Sequence, residues 1–171
     1  MTVFFAKAIK PPKLKIDEVR LAILNALKKE GRLEAKKLQE TTQHWKGAKP
    51  TFDFTVSLAG GKEALLLTGV SGDTEGAQKW IWLNYGTKRH VITARRAPFL
   101  QFRVGGRAGS TPRSWSTSAA VPGTEPRRAR RVMHPGTKAR EWTILLYEER
   151  WQPFAKAVND ALEQGMKKAM S

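Results

Sequence analysis

The chain contains no cysteine, few acidic residues in its central third and no long apolar run. A chain without cysteine cannot form a disulfide framework, a thiolate zinc site or a cysteine nucleophile, and it fits a reducing compartment. No segment approaches the roughly 20 apolar residues that a helix needs to span a bilayer. In residues 1–15, lysines and the pair Pro11 and Pro12 interrupt a short apolar start, which predicts an N-terminal extension and not a secretory signal. We therefore expect a soluble protein that is cytoplasmic when it is synthesised.

The length and composition are those of one globular domain. The chain has 171 residues, of which 40% are hydrophobic, and it includes seven Phe and six Trp. Domains usually run to roughly 100–200 residues, and this apolar content is enough to bury a core. We therefore predict a single domain over residues 1–171.

Positive charge is concentrated in the middle of the chain. The formal net charge is +16, and residues 76–140 contribute fourteen Lys and Arg against the single acid Glu125. The rest of the chain nets only +3. Such a block indicates an anionic partner, which is nucleic acid, an acidic protein surface or a membrane, although a solvated face kept for solubility has the same composition.

Helical periodicity marks both ends of the chain. Between residues 16 and 42, apolar or small residues recur at a spacing close to 3.6, which predicts a long amphipathic helix with a core-facing stripe. Gly31 weakens the middle of this helix and predicts a bend or a close crossing. Residues 139–150 and 153–170 contain good helix formers, and Pro153 is acceptable in a first turn. Two further helical segments are therefore predicted.

Strand periodicity lies between the helices. Residues 51–58 alternate apolar and polar, Gly60 and Gly61 predict a turn, and residues 64–70 predict the return strand of a hairpin. Residues 79–85 fit a third strand or a short helix, since local propensity does not decide, and residues 98–104 fit another strand. The prediction is an α+β fold in which an antiparallel sheet of about four strands is packed by a long N-terminal helix and by C-terminal helices.

The segment 105–131 differs from the rest of the chain. It is rich in Gly, Ser, Thr, Pro and Arg, and its only larger apolar residues are Trp115 and Val121. So little apolar surface does not offset the entropy lost on ordering. We predict a long basic loop or arm that is mobile in the isolated subunit and functional against a partner.

No constellation of residues predicts catalysis or metal binding. The glycines near Lys62 and Lys138 lack the upstream spacing of a nucleotide-binding loop, and no serine lies in a nucleophile-elbow sequence. The three histidines are far apart in the sequence and have no neighbouring carboxylates. We therefore predict a protein that is not an enzyme and has no catalytic residues, metal or cofactor.

Two segments, residues 84–90 and residues 133–139, share a Gly-Thr-Lys core that comes directly after an apolar, strand-like stretch. One interpretation is a pair of similar turns, because Gly supplies a positive φ and Thr caps the next few residues. The other interpretation is that the repeat has a function.

The order of these features resembles the tail-component or tail-completion family of long-tailed bacteriophages. The similarity covers roughly residues 19–168, and its most specific part is a His-Pro-Gly-Thr-Lys run followed by Pro-Phe and a helix. The long arm at 105–131 and the helical stretch at 139–151 depart from the family pattern. After the long helix and the hairpin, the segments that carry the resemblance are Tyr85-Gly86-Thr87-Lys88, Pro98-Phe99-Leu100, His134-Pro135-Gly136-Thr137-Lys138 and Gln152-Pro153-Phe154.

The resemblance implies a structural virion protein at the head–tail junction. Such a subunit forms a closed ring, most commonly a hexamer, that acts as a tail terminator or neck and joins the tail tube to the head connector. Its partners are then copies of itself and the adjoining connector and tube proteins, and it passes through the host cytoplasm during assembly. Rings need heterologous interfaces. The predicted subunit or partner contacts are Tyr85, Gly86, Thr87, Lys88, His134, Pro135, Gly136, Thr137, Lys138, Trp151, Pro153 and Phe154.

The arginines of the basic block are the predicted contacts to acidic neighbouring proteins or to DNA in the channel. The rival hypothesis is a free basic protein that binds nucleic acid without sequence specificity, by neutralising phosphates. The chain has no recognisable helix-turn-helix, zinc finger or stacking motif, which is evidence against the rival. The arginines concerned are Arg95, Arg96, Arg103, Arg107, Arg113, Arg127, Arg128, Arg130 and Arg131.

Overall fold

The computed structural model describes residues 15–59 and 63–171. Its mixture of helices and antiparallel strands confirms the predicted α+β class. The predicted turn at Gly60 and Gly61 and the predicted N-terminal extension up to residue 14 lie outside the described residues. The elements in chain order are α1 (Ile16–Glu40), β1 (Thr51–Ala59), β2 (Glu63–Ser71), α2 (Glu75–Tyr85), β3 (His90–Thr93), β4 (Leu100–Val104), β5 (Glu125–Ala129), β6 (Arg131–His134) and α3 (Trp142–Met170).

The first helix and the hairpin form where the two periodicities predict them. Strands β1 and β2 pair antiparallel from Thr51 opposite Ser71 to the end of the hairpin, and they pack on α1. Gly31 is buried where α1 meets the hairpin. A side chain there would collide with the ring of Phe54 and lie 2.9 Å from Leu66 Cδ1. Gly31 therefore marks a close crossing.

The strands form three two-stranded antiparallel pairs in the described part of the chain, namely β1–β2, β3–β6 and β4–β5. The predicted sheet of about four strands is not confirmed. The predicted strand at 98–104 corresponds to β4, but its partner is β5, whose sequence Glu-Pro-Arg-Arg-Ala shows no apolar alternation. Backbone pairing between exposed, arginine-rich strands leaves little trace in a hydrophobicity pattern.

The pairs β3–β6 and β4–β5 are nested, and isolated bridges continue the pairing on both sides. Thr87 pairs with Thr137 at one end, and Arg107 pairs with Val121 towards the other. The pairings join residues 87–94 to 130–137 and residues 100–110 to 117–129, with a bent segment at 95–99 between the two stretches. We call this paired segment, residues 87–137, the basic ribbon, and the predicted basic arm is not confirmed. The segment 105–131 supplies its distal half, and the predicted mobility of that segment stays a prediction.

Residues 75–85 form helix α2. The sequence left open whether residues 79–85 form a strand or a short helix, and the structure has the helix. The Thr74 side chain accepts a hydrogen bond from the Ala77 backbone N–H at 3.1 Å, which caps the first turn. The helical period puts Trp80 in the core and leaves Trp82 outside, with 2% and 56% exposure. A strand would have placed these two side chains on the same face.

The C-terminal part is one helix, α3, instead of the two predicted segments, and Pro153 lies inside it. A proline has no N–H to donate to the carbonyl four residues earlier and tends to kink a helix. Packing of α3 against α1 spans both sides of this position, because Leu146 is buried before it and Gly165 lies against Val19 after it. The tertiary contacts with α1 thus support the helix through its proline.

The centre of the core is an aromatic cluster that joins all three helices to the hairpin. Phe52 meets Trp80 edge to face with 5.1 Å between ring centroids, and Trp80 stacks on Trp142 at 5.8 Å. Leu38 and Leu146 complete the buried set. The Trp80 indole N–H donates to Thr41 Oγ1 at 3.0 Å, so its polar edge is satisfied inside the core.

Among the helices of residues 15–59 and 63–171, none combines the length and the apolar character needed to cross a membrane.

Candidate functional site

The two Gly-Thr-Lys segments face each other at the base of the basic ribbon. The Thr87 N–H donates to the Thr137 carbonyl at 2.9 Å, and the Thr137 N–H donates to the Thr87 carbonyl at 3.1 Å. The Thr137 N–H also lies 2.9 Å from Thr87 Oγ1. We call residues 86–88 and 136–138 the turn pair. The repeat in the sequence therefore corresponds to one paired structure.

Both glycines of the turn pair are required by backbone geometry. Gly86 has φ 75° and ψ 174°, a region open essentially to glycine alone, and Gly136 has φ 91°. A Cβ on Gly86 would lie 2.6 Å from the Thr137 carbonyl oxygen, and one on Gly136 would collide with the Thr87 carbonyl oxygen. Any side chain at either position would force the two strands apart.

Replacing Gly136 with alanine should lower the free energy of unfolding by about 2 kcal/mol or more, since unfavourable φ alone costs about 1–3 kcal/mol and steric overlap adds to it. Urea unfolding followed by tryptophan fluorescence measures the change. Gly69→Ala is the matched control, because Gly69 lies in β2 with open space where a Cβ would be placed. Equal midpoints for the two variants would show that the turn pair does not need glycine.

The surroundings of the turn pair are partly exposed and rich in basic and aromatic groups. Tyr85 is 68% exposed, and Lys88, Lys138 and Pro135 are also exposed. A cleft of about 600 Å³ opens beside the pair, lined by side chains that include Lys79, Trp82, Ile92 and His134. This surface combines cations with apolar area, which suits contact with another macromolecule.

Two histidines that are distant in the sequence meet across the ribbon. His90 pairs with His134, and their ring centroids are 5.0 Å apart. His134 Nδ1 accepts the Gly136 N–H at 3.1 Å, and His90 Nδ1 lies 2.8 Å from the Lys88 carbonyl. Among the side chains of residues 15–57 and 65–171, no three His, Asp or Glu gather as a metal-ligating group. The histidines thus shape the turns.

Two buried polar residues that were not predicted from the sequence hold the turn pair to the body. Asn84 is 1% exposed, its amide donates to Thr143 Oγ1 at 3.0 Å, and its oxygen accepts the Thr143 N–H at 3.2 Å. Arg140 is 6% exposed and donates to the Lys138 carbonyl and to Ser110 Oγ, each at 3.0 Å. Burial lowers the pKa of Arg140. The sign of these two residues in the sequence is their position directly beside the two Gly-Thr-Lys segments.

A second exposed surface lies on α3. Tyr147, Trp151 and Phe154 succeed one another at helical spacing, with ring centroids 5.6 Å and 6.2 Å apart. Tyr147 is 62% exposed and Trp151 49%, whereas Phe154 is half-buried and Pro153 is exposed. A shallow cleft beside them is floored by Leu38, Leu66 and Leu146. We call Tyr147, Trp151 and Phe154 the aromatic row.

The arginines of the basic ribbon fall into two groups. Nine were predicted to face a partner, and all nine are exposed. Arg113 and Arg127 are ion-paired within the chain, with Glu141 and Glu148 in the first case and Glu125 in the second. The other seven form no ion pair with any carboxylate among the side chains that the structure describes, residues 15–57 and 65–171. These seven are Arg95, Arg96, Arg103, Arg107, Arg128, Arg130 and Arg131.

Arg113 holds the tip of the ribbon against α3. Its guanidinium lies 2.9 Å and 3.0 Å from the two Glu148 oxygens and 3.1 Å from Glu141, and its backbone N–H donates to the Arg140 carbonyl at 3.0 Å. The hydrogen bonds to Glu148 are the main reason that the pKa of Arg113 is raised. Arg113 is predicted to contact DNA or an acidic partner, and this contact would compete with its pairing inside the chain. We call the contacts of Arg113 with Glu141, Glu148 and the Arg140 carbonyl the tip latch.

No protein-family model, no curated protein and no solved structure matches this chain.

Proposed function

We propose that the chain is a structural subunit of a tailed bacteriophage that forms a ring at the head–tail junction, as a tail terminator or neck protein. The observation that carries the proposal is the aromatic row, three neighbouring rings of which Tyr147 and Trp151 are exposed to solvent. Aromatic side chains are enriched at protein interfaces, where each buries a large area with few rotamers to fix. The order of the sequence motifs supports the phage setting.

Ring closure needs two different surfaces on each subunit, so that one patch meets another patch on the next copy. The aromatic row on α3 and the turn pair with Tyr85 are separate exposed features that meet this requirement. Six copies is the number that the family resemblance implies. The head connector and tail-tube proteins are the proposed neighbours above and below the ring.

Deleting the gene from the phage genome that encodes the chain tests the proposal. We expect lysates with separate heads and tails, because the joining ring is missing, and we expect a plasmid-borne copy to restore joined particles. Negative-stain imaging counts the joined fraction, and plaque titre gives infectivity. A plasmid copy carrying Gly69→Ala should complement as well as the unaltered gene. Normal, infectious, tailed particles from the deletion would refute the proposal.

The second candidate is a free, monomeric protein that binds nucleic acid without sequence specificity. The observation that favours it is the set of seven arginines that have no carboxylate partner in the described residues. Light scattering separates the candidates, because a ring-forming subunit assembles alone or with the connector, whereas the free binder stays monomeric in both conditions.

A further inference from the structure

We infer that the basic ribbon binds the phosphate backbone of double-stranded DNA without reading its base sequence. This inference rests on the proposed function for one thing only, the place where the arginines meet DNA, which is the channel of the ring. The first observation is charge that the fold leaves uncompensated. Glu125 is the one acid between residues 76 and 140, and it is paired with Arg127 at 3.2 Å. Seven of the nine arginines predicted as partner contacts have no ion pair with a carboxylate that the structure describes, so their charge is available to a partner.

Three of the free arginines lie on adjoining paired parts of the ribbon. On the exposed face of β4–β5, Arg103 and Arg128 are diagonal neighbours, since Arg103 is opposite Pro126 and Gln101 is opposite Arg128. Such neighbours are about 7–8 Å apart. Arg131 is opposite Thr93 on the next pair towards the base. They form part of a surface of one sign of charge, which attracts a polyanion.

Counterion release favours DNA over an acidic protein as the partner. Each phosphate that a cation neutralises frees condensed counterions, and each contact adds about 0.9 to the slope of log K against log salt for duplex DNA. An exposed ion pair with a protein carboxylate contributes only about 0–1 kcal/mol, because solvent and salt screen the charges and fixing two side chains costs entropy. Arginine also presents a planar fork that fits phosphate oxygens. Seven such residues are therefore more effective on DNA.

The exposed face of β4–β5 offers few amide groups for base readout. On the exposed face of β4–β5, Gln101 is the one side chain with an amide suited to a base edge. Binding is accordingly expected to differ little between duplexes of different sequence.

Both ends of the ribbon are fixed to the body, which reduces the entropy lost on binding. The turn pair anchors the base, and the tip latch ties the distal end to Glu141 and Glu148. The Trp142 indole N–H also donates to the Ser114 carbonyl at 3.1 Å. Surfaces held in place before binding lose less freedom when the partner arrives. Arg113 is thus a positioning residue for the ribbon.

Fluorescence anisotropy with a labelled duplex of arbitrary sequence, titrated between about 50 and 200 mM KCl, tests the inference. We expect a slope of log K against log salt of roughly −4 to −6, corresponding to five to seven phosphate contacts. The triple variant R103Q, R107Q, R128Q should lose about 3 units of slope and about 100-fold in affinity at the lowest salt. A second duplex of unrelated sequence should bind equally.

The matched control removes three cations from the helices, as R20Q, K156Q, K167Q, where each is paired with a nearby acid. Equal losses in the two triple variants would overturn the inference, because net charge alone would then explain binding. So would displacement of DNA by polyglutamate at equal charge concentration, which would assign the ribbon to acidic proteins. If tails stay attached after gene deletion while the purified protein still binds DNA through the ribbon, the proposed function is refuted and this inference stands.

Discussion

Trp142→Ala is expected to lower the free energy of unfolding by about 3–5 kcal/mol, the typical cost of deleting a buried tryptophan. Trp142 is fully buried, stacks on Trp80 and bonds the ribbon through the Ser114 carbonyl. Its removal leaves a cavity at the meeting point of the helices and also removes one of the contacts that hold the ribbon tip. Since domains are stable by only about 5–15 kcal/mol, the variant should unfold at a much lower urea concentration.

Trp82→Ala is the matched control for this prediction, because it removes the same side chain from a site that is 56% exposed. Its urea midpoint should stay close to that of the unaltered protein. If the two variants unfold at the same midpoint, the aromatic cluster is not the centre of the core.

Trp151→Ala, combined with Tyr147→Ala, is expected to abolish self-association while leaving the fold intact. These two side chains are 49% and 62% exposed, so their loss creates little cavity. A central aromatic residue of an interface commonly contributes about 2 kcal/mol or more to binding. Two such losses raise the dissociation constant of subunits by roughly 1,000-fold, if each contributes independently. Light scattering over a concentration series, with circular dichroism for the fold, measures both effects.

Leu21→Ala is the control for the assembly experiment, because Leu21 is an exposed apolar residue of α1, 55% exposed, outside the aromatic row. It should assemble as the unaltered protein does. Assembly that survives the double aromatic variant would show that the aromatic row is not a subunit contact and would remove the main support for the ring.

The elements that the sequence predicted well are those whose own side chains build the core. Helix α1 and the hairpin have a clean period of 3.6 or 2, and Phe52 and Leu38 are buried accordingly. Strands β3, β5 and β6 were missed because they are short, largely exposed and formed by backbone pairing, which leaves no hydrophobic pattern. Pro153 predicts the first turn of a new helix, but α3 continues through it because both halves of α3 pack against α1.

For the candidate site, the residue types were recognisable and their partners were not. The Gly-Thr-Lys repeat was visible, yet its meaning, an antiparallel contact between Thr87 and Thr137, depends on pairing across fifty residues. Arg113 looks like the other arginines in the sequence, and only the fold brings Glu141 and Glu148 to it. Long-range ion pairs of this kind depend on topology, which the local pattern does not encode.

The molecule unites a cationic ribbon, whose tip contacts α3, with a body whose helices leave aromatic area uncovered. Each feature is costly for a free monomer: concentrated charge of one sign repels itself, and exposed aromatic rings favour aggregation. Both costs disappear in an assembly that covers the aromatic side chains and surrounds a polyanion. A ring around the DNA channel provides both conditions at once.

The most direct test of the central claim is immuno-electron microscopy of purified virions with an antibody raised against this chain. A ring at the head–tail junction predicts one site of labelling per particle, at the point where the tail meets the head. Virions that carry no label, or that carry it over the capsid surface or at the far end of the tail, would contradict it.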